Sequence, residues 1–511
     1  MAPSRPNITL SLLAVAFACM MYVPLSRLTP AYAFFAFSYL VLFNYSIFSI
    51  AIRLKKIVSI LLPVIFCMSL VGAYLYTFLN IKISDNLLFL LLETTTGEAN
   101  EALTPGFILS IVTALALSIA AHIGIKKCET PPKLKWPIIL LLLLIPINIA
   151  LSKFSKHPIA KQLRPAIATK YAFPFCVIDS VANFSIRWVQ YKTRPKPQSS
   201  ALLESEYVFQ KQSDPLTLIF IIGESARADH FQINGYGRNT TPRLSKEKNV
   251  ITYGGIKSFA AMTRVSVPAM LTPATSKKPN IKTNSFLDLF VKYGFSTAWI
   301  SANSRVAYSS DMPTTRIMGN AQQTIFRNDF TTADYSEFRD EMMVPVVQKV
   351  LASTQGNRVI VVHTRGSHFN YSTKYSAKYR TFTPDKYKSY SNLGTVINAY
   401  DNSIIATDGF LANVYDMVKE QNALVIYSSD HGESLGEDGI FMHGNDKRPE
   451  QRNVPFIVWY SDKYAELNPT YVAALKDQVG KRLSHDVLFP WTVNLGGITL
   501  KNTSLPVLIA N

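Results

Sequence analysis

Four of the chain's eight histidines, His363, His368, His431 and His443, fall in short polar runs that also carry acids. Three such runs each follow an apolar, β-branched stretch. Leu216–Ile222 leads into Gly223-Glu224-Ser225-Ala226-Arg227-Ala228-Asp229-His230. Arg358–His363 leads into Thr364-Arg365-Gly366-Ser367-His368, and Ala423–Ser428 into Ser429-Asp430-His431-Gly432-Glu433, with His443 twelve residues beyond His431. Imidazole nitrogens and carboxylate oxygens together suit zinc, which takes N and O ligands in tetrahedral sites. Calcium prefers an all-oxygen shell. No Cys-x-x-Cys is present, which excludes a thiolate site, and no His-Glu-x-x-His marks a helix-borne protease centre. Each run alone has an ordinary reading: an Asp-His turn, Glu224 favouring the start of a helix from Ala226, His363 as a buried imidazole. Acid and histidine at three separate strand ends point instead to one metal centre.

The elements that must position these residues alternate. Helical patterns such as Ser285–Tyr293 and Asn398–Lys419 lie between the apolar runs, which include Val454–Tyr460. Continuous apolar strands separated by helices predict a mostly parallel sheet covered on both faces. Ligands of such sheets gather beyond the carboxyl ends of the strands, where the polar runs begin.

The first third of the chain is different in kind. Mean hydropathy is +0.13 although 17% of residues are charged, and the apolar excess is concentrated in five stretches: Thr9–Leu25, Ala31–Ile52, Ile57–Leu79, Pro105–Ile123 and Trp136–Leu151. Their lengths suit membrane helices. Arg5, then Arg53, Lys55 and Lys56, then Lys126, Lys127, Lys133 and Lys135 occupy every second loop, while Asp85, Glu93, Glu98 and Glu101 occupy an alternate one. Basic loops stay in the cytoplasm, so five spans leave everything after Leu151 outside. Ala31-Tyr-Ala33 has the form of a cleavage site, but the further spans that follow favour an uncleaved first helix.

The expected division is residues 1–152 as a transmembrane domain, 153–206 as interfacial bridging helices and a linker, Lys192 to Ser200, and 207–511 as an outer catalytic domain. Of Cys19, Cys67, Cys128 and Cys176, none falls after Cys176, so the outer domain has no internal disulfide. The net charge of +18 meets no nucleic-acid motif; it suits loop topology and a surface facing anionic lipids or a phosphorylated acceptor.

Two stretches carry a resemblance. Gly223-Glu-Ser-Ala-Arg-Ala-Asp-His-Phe-Gln-Ile-Asn-Gly-Tyr-Gly-Arg and Ser429-Asp-His-Gly-Glu-Ser-Leu-Gly-Glu-Asp-Gly with Met442-His443-Gly444 resemble the lipid A phosphoethanolamine transferases, membrane members of the alkaline-phosphatase and sulfatase superfamily. The similarity covers most of the chain. It implies a five-helix transmembrane N-terminal domain followed by an α/β sulfatase-like domain, placed in the periplasm of a bacterial inner membrane. The family's nucleophilic threonine corresponds to Thr263 in Met262-Thr-Arg-Val-Ser-Val-Pro268; by itself that residue reads as a helix cap.

The resemblance further implies that Glu224, Thr263, Asp430 and His431 bind the catalytic zinc. His363, His368 and His443 would hold donor phosphate or a second zinc, and Ser304 and Glu98 would join the substrate site. The implied reaction moves phosphoethanolamine from phosphatidylethanolamine to an anionic glycolipid or glycan, with lipid A or lipopolysaccharide core favoured. Departures are Phe259 and Ala269 where the family carries a cysteine, Leu90 for an asparagine, and Ala307 for a lysine, with Arg305 as the alternative cation. The nearest rival, a phosphoglycerol transferase of the lipoteichoic-acid-synthase kind, is disfavoured by the first stretch. A serine hydrolase on Ser225 lacks the second glycine of Gly-x-Ser-x-Gly.

Overall fold

The computed structural model describes residues 8–20, 28–79, 105–127, 134–153, 173–193, 207–210, 213–277, 285–303, 313–333, 337–387 and 392–501, with isolated positions between. The chain divides into two compact units, one formed by Met1–Thr94 and Ala102–Gln190, the other by Thr95–Glu101 and Tyr191–Asn511.

In the first unit a helix is found at each expected apolar stretch: Ile8–Cys19, Pro30–Ala51, Lys55–Leu79, Pro105–Lys126 and Lys135–Lys153. By length and composition, two helical stretches among the described residues qualify as membrane spans, Pro30–Leu75, which runs through two of these helices, and Pro105–Lys126. Ile8–Cys19 and Lys135–Leu151 are apolar but shorter. Large apolar side chains such as Leu109, Leu142 and Leu143 face outward, as expected where the surroundings are hydrocarbon. Among the described residues several polar groups inside the unit are paired, whereas Asn44 Oδ1, Ser49 Oγ and Ser118 Oγ are buried without a hydrogen-bond partner. Tyr39 donates to the Leu144 carbonyl and accepts from Asn148 Nδ2, while the Ser46 and Ser69 hydroxyls return to carbonyls one turn back. Such pairing offsets the cost of burying a polar group away from water. The helix Phe175–Thr193 exposes Ile178, Val181, Ile186 and Val189.

The second unit carries strands β1 (Tyr207–Phe209), β2 (Thr217–Gly223), β3 (Val250–Lys257), β4 (Ser296–Ser301), β5 (Gln323–Phe326), β6 (Arg358–His363), β7 (Ala423–Ser429), β8 (Ser434–Leu435), β9 (Phe441–Met442), β10 (Asn453–Tyr460) and β11 (Ile498–Leu500). Seven form the central sheet in the order β3-β10-β7-β2-β6-β4-β5. From β7 to β5 every neighbouring pair is parallel. β10 is antiparallel to both β7 and β3, so the sheet is mixed. Parallel neighbours need a long crossover; the segment between β7 and β10 holds only the hairpin β8–β9 and short 3₁₀ turns, too little to return the chain to the same end of the sheet.

β2 sits at the centre, buried along its whole length. Leu218, Phe220 and Ile222 enter one core, with Phe286, Phe290 and Trp491; Ile219 and Ile221 enter the other, with Val347, Tyr400 and Val414. The period-two alternation of a strand thus feeds two helical layers. β3 escapes the apolar-run signal because it lies at the edge, alternates buried and partly exposed positions, and carries Gly254 and Gly255.

Candidate active site

Register brings the acids together. Gly223 pairs with Ser429, and Ile222 with both Ser428 and His363. Glu224 and Asp430 are therefore the first residues past two adjacent parallel strands. Ser225 then adopts φ 57, a left-handed conformation uncommon for a residue with a side chain. Three contacts hold it there: its N–H donates to Asp430 Oδ1 at 3.3 Å, its hydroxyl to Glu224 Oε1 at 2.8 Å, and its carbonyl accepts from Tyr400 at 2.7 Å. Being fully buried and bound to Glu224, Ser225 offers no exposed nucleophile. Gly366 closes over the same turn at φ 47, where a Cβ would strike the backbone of Glu224.

Thr263 is the first residue of the helix Thr263–Met270, and Met262 occupies the cap position without a side-chain bond. The Thr263 hydroxyl does not cap the helix. It donates to Glu224 Oε2 at 3.1 Å and lies 3.1 Å from His431 Nε2. His431 Nε2 lies 3.3 Å from Glu224 Oε1 and 3.5 Å from Asp430 Oδ2. The other ring nitrogen is 2.9 Å from the Gly432 carbonyl, so it carries the proton and leaves Nε2 as a lone pair, the tautomer a metal requires. Glu224, Asp430 and His431, all buried, bring their ligand atoms within 4.8 Å of one another.

The electrostatics show what this group lacks. Burial first, and then the charge of Asp430, push the Glu224 carboxyl above its ordinary range; burial likewise raises Asp430. Burial alone would lower His431, but Asp430 and Glu224 outweigh it and raise the imidazole. Asp430 Oδ2 is buried without a hydrogen-bond partner, a costly arrangement for a carboxylate. A divalent cation would satisfy that oxygen and keep both acids ionised, and the mixed N and O donors fit zinc.

A second group adjoins the first. The His431 and His443 ring centroids are 4.1 Å apart, and those of His368 and His443 5.8 Å. Glu433 Oε2 accepts from His443 Nδ1 at 2.7 Å, and its Oε1 accepts from Tyr371 at 2.9 Å. His431, Glu433 and His443 again offer ligand atoms within 4.8 Å. Burial, reinforced by the charge of Lys374, holds His368 well below the ordinary imidazole value, so the ring is neutral at pH 7. His363 ends β6, its ring edge-on to Trp299 with centroids 6.2 Å apart, and burial lowers it to about 4. It belongs to neither ligand group found among the described residues. Glu98, Ser304 and Arg305 lie outside those residues.

Glu433 has no role that its residue type alone assigns; its spacing of two from His431 is the signal in the sequence. The Asn234-Gly-Tyr236-Gly-Arg238 part of the first stretch lies off the ligand groups. Tyr236, Arg238 and His230 all bind the buried Asp401. That cluster fixes the loop after β2 against the helix Leu393–Val418, with Tyr400 packed edge-on to His230.

Residues 217–498 match the family described as Sulfatase. The chain belongs to the sulfatase family. Among curated proteins it is similar to Phosphatidylethanolamine transferase Mcr-2 of Escherichia coli, 29% identical over 80% of this chain and 78% of that protein. It is 34% identical to the Kdo(2)-lipid A phosphoethanolamine 7''-transferase of Salmonella typhimurium, over 50% of this chain and 46% of that protein. Among solved structures, the integral membrane lipooligosaccharide phosphoethanolamine transferase A of Neisseria meningitidis has the same fold. It superposes with a TM-score of 0.82 at 21% identity, covering 96% of each chain. The periplasmic domain of EcEptC from Escherichia coli, solved in complex with Zn, superposes on 58% of this chain and 86% of that one, with a TM-score of 0.52 at 22% identity. Within the sulfatase family the chain thus groups with phosphoethanolamine transferases, as its two motif stretches indicate.

Proposed function

We propose that this protein transfers phosphoethanolamine from phosphatidylethanolamine, through a covalent intermediate on Thr263, to an anionic cell-envelope glycolipid, with lipid A or lipopolysaccharide core as acceptor. The observation that carries this reading is the Thr263 hydroxyl, which is turned away from its helix and onto Glu224 and His431. A threonine with only a structural role would cap the helix or face solvent. The names of the curated relatives supply the donor and acceptor classes.

Glu224, Asp430 and His431 would hold zinc, and His443 with Glu433 offers ligands for a second ion. When bound, zinc supplies the charge that makes a threonine hydroxyl nucleophilic at neutral pH. The chain's own groups do the rest. The Thr263 proton leaves through its hydrogen bond to Glu224 Oε2 as Oγ1 forms a bond to phosphorus. The bond from phosphorus to the glyceride oxygen breaks, and that oxygen takes a proton from water to leave as diacylglycerol. His443, oriented through Nδ1 by Glu433, would keep its other nitrogen as a lone pair suited to a second zinc. The N-terminal end of the helix Thr263–Met270 meets charge on the phosphoryl oxygens. An acceptor oxygen then attacks phosphorus and releases Thr263.

In this reading five spans, residues 1–152, anchor the protein in the bacterial inner membrane. Residues 153–206 lie along the interface, and residues 207–511 work in the periplasm. A lipid donor explains the anchor, since both substrates then meet at one surface. The deciding experiment incubates detergent-solubilised protein with phosphatidylethanolamine and no acceptor. Mass spectrometry is expected to find phosphoethanolamine on Thr263, dependent on metal and absent after chelation. An adduct from phosphatidylglycerol in its place would assign the protein to phosphoglycerol transfer.

A further inference from the structure

His485 takes no part in the chemistry above, yet it joins two segments that do. The residue is 2% exposed and begins the short turn His485–Val487. The Phe259 N–H donates to its Nδ1 at 3.0 Å, and its Nε2 lies 3.0 Å from the Ser429 carbonyl and 3.4 Å from Ser428 Oγ. One tautomer satisfies both backbone contacts: lone pair on Nδ1, proton on Nε2. Phe259 is four residues before Thr263, and Ser429 immediately precedes Asp430. A single ring therefore spans from the loop that delivers the nucleophile to the strand end that delivers the acid and imidazole.

The surroundings make this contact a clamp. Lys257 bridges Ser484, and Ser276 is held by Asp486 through its N–H at 2.9 Å and its hydroxyl at 2.6 Å. Arg452 donates to the Ser258 and Phe259 carbonyls. The Ala260 N–H donates to Ser266 Oγ at 2.9 Å, which ties the loop to the helix that Thr263 begins. Loop 258–262 contains no cysteine and is held by hydrogen bonds to His485, Arg452, Ser266 and Asp446. Burial keeps the His485 imidazole down at about 3, so the clamp retains one tautomer across the neutral range.

We propose that His485 is a positioning residue that holds the Thr263 hydroxyl in register with Asp430 and His431. An oriented reaction loses about 10²-fold in rate when the reacting group is misplaced by about 1 Å. Removing the ring takes away the acceptor of the Phe259 N–H and leaves the Ser429 carbonyl with only the 3.4 Å contact from Ser428 Oγ, without touching a ligand atom. The proposal rests on Thr263 being the nucleophile.

The test uses the full-length protein in detergent and the variants His485→Ala, His485→Asn and His485→Gln. A glutamine amide offers an acceptor and a donor at a separation close to that of the two ring nitrogens, whereas the shorter asparagine amide reaches one partner. Three quantities are measured: the single-turnover rate of Thr263 modification by phosphatidylethanolamine with its half-saturating concentration, zinc affinity by chelator competition, and hydrogen exchange of the peptide spanning residues 258–263. His485→Ala is expected to slow modification about 10²-fold, with half-saturation and zinc affinity unchanged and exchange at 258–263 accelerated. His485→Gln is expected to recover most of both. If the alanine variant does not fold, His485→Asn takes its place with the same expected split.

A wild-type rate in the alanine or asparagine variant, unaltered exchange at 258–263, or a rate loss that follows zinc affinity overturns the proposal. If the wild-type protein gains no adduct from any phospholipid, the transfer reading fails; exchange then decides the clamp itself, and unaltered exchange overturns it.

Discussion

At the scale of single residues, the site separates groups that touch the reacting atoms from groups that orient them. Thr263→Ala is expected to abolish the adduct on that residue and lower turnover by about 10³-fold or more, since loss of a nucleophile removes the covalent route. Steady-state release of diacylglycerol checks it. Glu433→Gln tests orientation. Its carboxylate holds His443 Nδ1 and receives the Tyr371 hydroxyl, and loss of such a partner costs about 10–100-fold in activity or metal affinity. Zinc titration beside activity will divide that loss between the two. Glu224, Asp430, His431 and His443 stand out in the sequence because unlike side chains recur just beyond apolar runs. The role of Thr263 does not, because a threonine at a helix start has an ordinary use; it takes the contact with Glu224, thirty-nine residues earlier, to exclude that use.

At the scale of elements, the sheet register aligns Glu224 with Asp430, and Gly366 lets a loop close over the Glu224 turn. Gly366→Ala is expected to fail on both counts that matter. Its φ of 47 is costly for alanine, and the new Cβ would meet the Glu224 backbone. A loss of about 1–3 kcal/mol in stability with at least about tenfold lower activity is expected, read from thermal melts and turnover. Strands β2, β6, β7 and β10 were legible as apolar runs to within one residue at their ends, because burial on both faces demands continuous hydrophobicity. The reversed direction of β10 was not, since direction depends on how much chain separates it from β7 and on the absence of a helix there. β4 is as long as β6, but Ser296, Thr297 and Ser301 break its apolar run, and β5 at the edge has only four residues.

At the scale of the whole molecule, the catalytic unit carries buried neutral histidines with a consequence for acid stability. Burial lowers His363 to about 4 and His485 to about 3, from an unfolded value near 6.5. The unfolded state therefore binds more protons between these values. Their stabilising contribution is full above about pH 6.5 and is lost as pH falls through the folded values, by up to about 1.4 kcal/mol per pH unit for each group. The apparent melting temperature should fall on acidification below pH 6.5, and His485→Gln should make that fall shallower. The two-unit division leads to a different expectation. A fragment beginning near residue 191 should fold, melt cooperatively and bind zinc, yet lose turnover of phosphatidylethanolamine in vesicles. A fragment as active on vesicles as the full chain would remove the reason proposed for the anchor.

The sequence by itself determined which residue types stand at the strand ends, the separation into an apolar first third and an α/β remainder, and two motif stretches specific enough to place the chain among phosphoethanolamine transferases. All of these are local: they follow from hydrophobic runs, side-chain chemistry and short spacing. Tertiary structure alone decided that Glu224, Thr263 and His431 meet at a single hydroxyl, that the Asn-Gly-Tyr part of the first motif braces a loop around Asp401, and that His485 ties Phe259 to Ser429. These contacts bridge up to 226 positions in the chain. Their partners are set by strand order and register, which depend on how the two faces of the sheet are covered rather than on any short stretch of residues.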